Sequence, residues 1–503
     1  MSTASAVAER TAGPAGVPVL QRIFSFPAML AGLLVVLAVL TVRSRFDDPD
    51  MWWHLRTGQI IWTTRSIPLT DLFSYTTGHH FRVPHEWLSQ VLIYGAYRLG
   101  GYSGLMLWLC LSTVALLIAG YALCWLYSGN AKVGFLGAMI ICLFATSGLS
   151  IRPQMIGYLL LILELLLVHL GRTRNPRWFF WLPPLFALWV NCHGTFFLGL
   201  VIGGAVLLCS LVNFRIGPLV PSPWDSRTRQ MLALALLLSA AALFLNPVGV
   251  KQVLYPLNLM MHQPINLSQV EEWRPLQLTD GRGLLFLATL GSLFLVMIVR
   301  RSELFWDELL MLMLGIGLAA NHRRMVFVFG ILAAPILSRL LAPLWDGYHA
   351  EEDRALPNAV LIAASLLIAF WSFPSLQNLT RQVDDGNPVK AVDFMKTHHL
   401  SGRMLNDYTY GGYLIWAAPE HPVFVYGGAD LVDWAGVVDE FGKWATLQSD
   451  PSALLDKYGV DFCLLAQQSP MVRVLPLLNR WKAIYTDNRS VIFMRVGADR
   501  PSK

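Results

Sequence analysis

The chain has 503 residues, 55% of them hydrophobic and 14% charged, with a net charge of +6 and a mean hydropathy of +0.50. Soluble globular chains carry about 25% charged residues, so this deficit, with apolar runs of roughly 17 to 20 residues recurring along the sequence, excludes an ordinary soluble enzyme and points to a polytopic membrane protein. The positive balance lies largely in short loops, where it orients spans, and is no signature of nucleic-acid binding.

Residues 1–25 read as a small-residue cytoplasmic tail leading into the first apolar run. That run, Phe26–Val42, is followed by Arg43, Arg45 and an acidic cluster rather than a small-residue cleavage site, so it reads as a span and not as a cleaved signal. Further runs cover Gly104–Leu126, Val133–Gly148, Pro153–Leu170, Trp178–Val190, Thr195–Val212, Met231–Leu245, Gly283–Val299, Leu309–Ala320, Met325–Leu344 and Ala359–Phe373. The expected total is about eleven spans, within a membrane part covering residues 26–373. Cys110, Cys124, Cys142 and Cys209 fall inside these runs, and Cys192 and Cys463 lie elsewhere, so no disulfide framework or CxxC metal site is expected.

The loops divide by charge. Gly171–Arg177, the segment with Arg215, Arg227 and Arg229, and Arg300–Glu308 are basic or mixed and are placed in the cytoplasm by the positive-inside rule. An odd span count then puts the C terminus outside. The first outer loop, residues 43–103, is too long for a simple connection. It holds two stretches with helical apolar spacing, "MWWHLRTGQIIW" and "EWLSQVLIYGAYRLG", which fit helices lying in the membrane interface. From Pro374 charge and glycine return, and residues 374–503 read as a soluble extracytoplasmic α/β domain. A helix is expected over Pro388–Leu400, with strands at "YLIWAA", "PVFVYG", "VDFCLLA" and "SVIFMRV".

On this topology the outer loops collect the polar groups. Asp47, Asp48, Asp50 and His54 follow the first span. His79, His80, His85 and Glu86 lie later in the same loop, with His79 and His80 reading as loop surface. Arg152 precedes the fourth span, Asn191 and His193 follow the fifth, Glu271, Glu272 and Arg274 the seventh, and Arg323 and Arg324 the ninth. Polar groups at a membrane boundary are costly unless they face a cavity or a partner. Their gathering from distant segments points to one site. Each also has a plain structural alternative: an aspartate as helix cap, arginines snorkelling at the interface, and Glu271, Glu272 and Arg274 as a solvated ion-pair cluster.

With its acidic motif "FDDPDMWWHL" opening a long first loop, many spans and an extracytoplasmic C-terminal domain, the chain resembles the GT-C class of integral-membrane glycosyltransferases. Within that class it is similar to bacterial members with "DPDMWWHL" and a downstream "HEWL". The resemblance implies an α-helical, GT-C-like membrane domain with a C-terminal α/β domain, in the bacterial inner membrane, its active site on the periplasmic face. It implies transfer of a sugar from a polyprenyl-phosphate-linked donor to a glycan, lipid or protein acceptor. The "WWDYG" signature of oligosaccharyltransferases is absent; "NDYTYGGYLIW" is only faintly like it.

The first-loop aspartate of such enzymes is a general base or acceptor binder, which directs attention to Asp48, with Asp47 and Asp50 beside it. Asp50, directly before the helix, reads as the cap, leaving Asp48 as base. Asp48-Pro49-Asp50 also fits a DxD-type site, at which Asp48, Asp50, His85, Glu86 and Glu271 could hold Mg²⁺ or Mn²⁺. His54, His85, Glu86, Arg152, His193, Arg323 and Arg324 are the expected substrate-binding residues, with Arg323 or Arg324 on the phosphate of the carrier. A transporter or flippase for lipid-linked saccharides, or a non-enzymatic scaffold for envelope saccharides, is the alternative.

Overall fold

In the first apolar run, Ser25 accepts the Ala28 N–H through its side chain, Pro27 occupies the first turn, and the run folds as α1 (Phe26–Val42). The computed structural model describes residues 23–78, 80–146, 148–262, 271–428 and 435–496. The two helices expected in the first loop are both present. The first is α2 (Met51–Thr64), closed by Arg65 in the left-handed conformation. The second opens α3 (Trp87–Ser128), which is interrupted at Gly100 and Gly101, where Gly101 takes φ +55°. That break separates the loop helix from the span behind it, and only glycine adopts such a backbone without strain. α2 is not a free surface helix: Met51, Trp52, Trp53, His54 and Leu55 are all buried. It crosses α3 so closely that a Cβ on Gly58 would strike the Gln90 carbonyl.

The membrane part continues through α4 (Ala131–Ala145), α5 (Gln154–Thr173), α6 (Leu182–Cys192), α7 (Phe196–Cys209), α8 (Ser226–Ala242), α9 (Val250–His262), α10 (Gly281–Arg300), α11 (Trp306–Asn321), α12 (Val326–Leu341) and α13 (Ala355–Ser372). Asn130, Asp225 and Asp280 cap α4, α8 and α10 with their side chains. Every expected apolar run is helical at least in part. Among the described residues, five helices are long and apolar enough to cross a membrane, and α1, α4 and α7 are shorter apolar helices. α12 is buried along almost its whole length. α13 instead packs on α1 and leaves Leu356, Phe370 and Trp371 exposed at 76%, 77% and 78%, an outer face suited to lipid rather than water. Two short parallel strands, β1 (Leu219–Val220) and β2 (Leu304–Phe305), pair at the end of the bundle where α10 gives way to α11.

The C-terminal part comprises α14 (Leu376–Gly386), α15 (Val389–Thr397), β3 (Met404–Asn406), α16 (Gly411–Ala417), α17 (Val437–Ala445), α18 (Pro451–Lys457), β4 (Phe462–Ala466), β5 (Trp481–Thr486) and β6 (Ser490–Arg495). The sheet order is β3-β4-β6-β5, with β3 parallel to β4 and the other pairs antiparallel. "VDFCLLA" and "SVIFMRV" supply β4 and β6 as expected, and α15 lies within the expected helix. "YLIWAA" is helical, in α16, and "PVFVYG" forms only an isolated bridge, Ser74 to Val423. A short apolar run buried on all sides carries no periodicity to tell helix from strand.

The C-terminal part is joined to the first loop. Val423 N–H donates to the Phe73 carbonyl at 2.9 Å, Tyr75 N–H to the Val423 carbonyl at 3.3 Å, and the Tyr75 hydroxyl to the Met404 carbonyl at 3.1 Å. Gln382 of α14 accepts the Phe46 N–H at 3.1 Å and donates to the Arg43 carbonyl at 3.1 Å, fixing the strand of chain that carries the aspartates.

Candidate active site

The short segment between α1 and α2 turns back on itself because the Asp48 Oδ1 accepts the Asp50 N–H at 2.9 Å. The other oxygen, Oδ2, accepts from Arg152 Nε at 2.6 Å. Asp50 is at the N-cap position of α2 but makes no side-chain cap bond. Its Oδ1 accepts the Trp53 indole N–H at 3.2 Å, and its Oδ2 lies 2.9 Å from Arg152 Nη1. Arg152, just ahead of α5, thus holds both aspartates, and the same Nη1 is 3.6 Å from Glu272 Oε1. Arg324 approaches the other oxygen of Glu272 at 3.8 Å, bonds Gln154 of α5, and lies over the Trp273 ring.

This arrangement sets the two aspartates apart. Burial pushes both carboxyls up. At Asp48, the charge and hydrogen bond of Arg152 and the Asp50 N–H outweigh burial and hold it below the ordinary value of 3.8. At Asp50, burial is opposed by Arg152 but reinforced by the neighbouring Asp48 and Glu272 carboxylates, and the carboxyl is raised. Asp50 is also the more open, with 20% of its side chain exposed against 9% for Asp48. A second region lies next to it. Glu86 faces His54 at 3.7 Å and His85 and His193 at 3.6 Å each. The His85 Nδ1 can only donate to the Val83 carbonyl, 3.2 Å away, and the ring stacks on Tyr255 at 4.2 Å. The His193 Nδ1 accepts the Thr195 N–H at 3.2 Å, so the neutral ring carries its proton on the Nε2 turned toward Glu86. Burial first, then Arg152 and Arg82 for His54 and Arg324 for His193, hold both imidazoles well below 6.5, and both are neutral at neutral pH.

The expected residues are therefore only partly brought together. Asp48, Asp50 and Arg152 meet directly, with Arg324 linked through Glu272; His54, His85, Glu86 and His193 form the adjoining group. Asp47 is exposed and packs beside Gly386 of α14, away from Arg152. Arg323 turns from the site and pairs with Asp280 at 3.1 Å. His79 and the side chain of Glu271 lie outside the described residues; His80 is exposed. Of the five residues expected to ligate a metal, the four whose side chains are described fall into two separate pairs: Asp48 and Asp50 face Arg152, and His85 and Glu86 face each other. Among the described residues, no group of three or more His, Cys, Asp or Glu side chains is positioned to hold an ion.

The site has a wall whose contact with the aspartate motif the sequence did not reveal. A Cβ on Gly412 would strike the Pro49 carbonyl, and one on Gly427 would strike the Asp50 carboxylate. Tyr426, beside Gly427, is edge-on to Trp53 at 6.0 Å and donates its hydroxyl to Asp71 at 3.1 Å. The glycine pairs in "YGGYLIW" and "YGGADL" were the visible signal, since close backbone approach requires glycine.

No protein-family model and no curated protein matches the sequence. Solved structures do. The chain is similar to the Archaeoglobus fulgidus oligosaccharyltransferase tethered to an acceptor peptide containing the NVT sequon, at 12% identity and TM-score 0.55, over 95% of this chain and 75% of that one. It is similar to AglB of the same organism in complex with an inhibitory peptide and a dolichol-phosphate, at 14% identity and TM-score 0.51, over 93% and 74%. It is also similar to ArnT from Cupriavidus metallidurans bound to undecaprenyl phosphate, at 12% identity and TM-score 0.52, over 95% and 99%. The shared feature at such identities is the fold. The chain has a GT-C-type fold, that of a multi-pass membrane protein with a small C-terminal sheet domain.

Proposed function

We propose that the chain is a membrane glycosyltransferase that moves a sugar from a polyprenyl-phosphate-linked donor to an acceptor, with Asp50 as general base. The observation that carries this reading is the Asp48–Asp50 pair on Arg152, at the end of a fold shared with structures that hold dolichol-phosphate and undecaprenyl phosphate. The acceptor hydroxyl or amide attacks the anomeric carbon, its proton passes to an Asp50 oxygen, and the bond from that carbon to the phosphate oxygen breaks. The leaving phosphate keeps the electron pair, and Arg324 supplies donors for its charge. Asp48, with one oxygen on the Asp50 N–H and the other on Arg152, orients the motif. Asp50 is the better base because its carboxyl is the more proton-avid and the more open of the two. Among the described residues no cluster fits the Mg²⁺ or Mn²⁺ expected from the sequence.

The same reading places the protein in a bacterial inner membrane with this site on the periplasmic side, where a water-borne acceptor and a bilayer-borne donor can meet. The test is an envelope glycan profile of cells lacking the chain, then complemented with wild type or with Asp50→Asn. A missing or truncated glycan restored only by wild type supports the proposal. Full restoration by Asp50→Asn, or an unchanged profile on deletion, sinks it.

A further inference from the structure

We infer that the Arg152 guanidinium takes the position a divalent cation would need between Asp48, Asp50 and Glu272, so that the DPD motif works with a cation built into the chain. This deepens the glycosyl-transfer reading and rests on it for the role of the motif. The geometry itself does not depend on that reading.

Three observations carry it. First, Arg152 reaches Asp48 Oδ2 at 2.6 Å through Nε, and Asp50 Oδ2 at 2.9 Å and Glu272 Oε1 at 3.6 Å through Nη1. A planar guanidinium fork suits paired carboxylates, whereas Mg²⁺ or Mn²⁺ would need the same oxygens drawn to roughly 2.1 Å from one point. Second, the remaining aspartate oxygens are already engaged by N–H donors: Asp48 Oδ1 by the Asp50 backbone, Asp50 Oδ1 by the Trp53 indole. Third, the main chain that carries the guanidinium is fixed by its own backbone bonds. Arg152 N–H donates to the Ser150 carbonyl at 2.9 Å, its own carbonyl accepts the Met155 N–H at 3.2 Å, and its side chain is 15% exposed.

The substitution has a chemical consequence. A divalent ion would bring two positive charges to these carboxylates and hold both aspartates firmly ionised. Arg152 brings one, shared among three carboxylates, and leaves Asp50 able to accept a proton. A cation carried covalently on the chain also needs no loading, and it cannot be removed by a chelator.

Mn²⁺ uptake followed by electron paramagnetic resonance tests this on the full-length protein in nanodiscs, each variant compared with its own Asp50→Asn counterpart so that binding elsewhere cancels. Wild type and Asp50→Asn should take up the same amount. Arg152→Ala should acquire about one further Mn²⁺ per chain, lost again when Asp50→Asn is added, and its thermal unfolding should move upward with Mn²⁺. Wild-type uptake of one equivalent that Asp50→Asn abolishes would overturn the inference, and so would a folded Arg152→Ala that gains no Mn²⁺. If Arg152→Ala does not fold, the wild-type comparison decides alone. Because the readout is metal uptake, it stands whether or not Asp50→Asn abolishes sugar transfer.

Discussion

The two ends of α5 use the same chemistry for opposite purposes. At its far end, about 30 Å from Arg152, Arg172 pairs with Asp307 at 2.7 Å, and the Ser222 hydroxyl takes the other Asp307 oxygen. Beside it Arg339 meets both oxygens of Glu308, at 2.6 and 2.5 Å, and the Phe305 N–H donates to the same carboxylate at 3.0 Å. There each guanidinium has one carboxylate and each carboxylate is saturated. At the near end Arg152 serves Asp48, Asp50 and Glu272, and Arg324 reaches only the far oxygen of Glu272, at 3.8 Å, so two guanidiniums face three carboxylates. A balanced pair is a latch between helices. The near cluster instead leaves Asp50 with 20% of its side chain exposed, against 1% for Glu308, so that Asp50 alone of the two is open to a further partner.

The largest expected effect tests that contrast directly. Asp50→Asn should lower the rate of sugar transfer by about 10² to 10⁴ with thermal unfolding unchanged, since the amide keeps the shape but cannot take a proton. Asp307→Asn should do the reverse. It strands Arg172 in a site where its side chain is 10% exposed, which should cost about 3–5 kcal/mol of stability and leave the turnover of folded protein intact. If Asp307→Asn stops turnover without loosening the protein, the two ends are not different in kind.

Next comes the wall. Gly427→Ala should push the Asp50 carboxylate out of line and lower the rate by about 10²-fold, as a misplacement near 1 Å can. Binding of the donor should be kept, so the loss should appear in kcat and not in KM.

The arginines after α11 should separate. Arg324→Ala should weaken binding of the polyprenyl-phosphate donor by about 10- to 100-fold, the usual range for losing a hydrogen bond to a charged group. Arg323→Ala, on Asp280, should leave donor affinity near wild type. Equal losses from the two, measured as donor Kd, would mean that Arg323 turns into the site when the carrier binds.

The smallest effects concern pH. The base must be ionised, so transfer is present above the Asp50 pKa and lost as pH falls through it. Because that carboxyl is raised above 3.8, the acid limb should lie above that of an ordinary aspartate. Glu272→Gln removes one of the like charges that raise it, so the limb should move to lower pH; no movement in the pH–rate profile would dissociate Glu272 from the base. His54 and His193 behave separately. Their pKa is depressed in the fold, so as pH falls through 6.5 the unfolded chain takes up protons that the folded one refuses. Stability should decline below that pH, and less steeply in His54→Gln.

Much of the architecture was legible because it depends on local quantities. Apolar runs report burial in lipid or core wherever they occur. The acidic motif, the long first loop and its two helices were visible for the same reason, as was the change of composition at Pro374. The assignment of "YLIWAA" to a strand failed where that local information ran out, because a helix buried on every side shows no period.

By itself, then, the sequence determined a helical membrane protein with an acidic cluster after its first span and a C-terminal domain of mixed structure. It also named most of the side chains that meet in the candidate site. Only the tertiary structure decided their partners: that Arg152 bridges Asp48 and Asp50, that Asp47 faces α14, that Arg323 and Arg324 part company, and that Gly412 and Gly427 lean on the motif. The Asp48–Arg152 bond spans 104 residues of chain. Charges interact through distance in space and the dielectric between them, and neither can be read from separation along the chain.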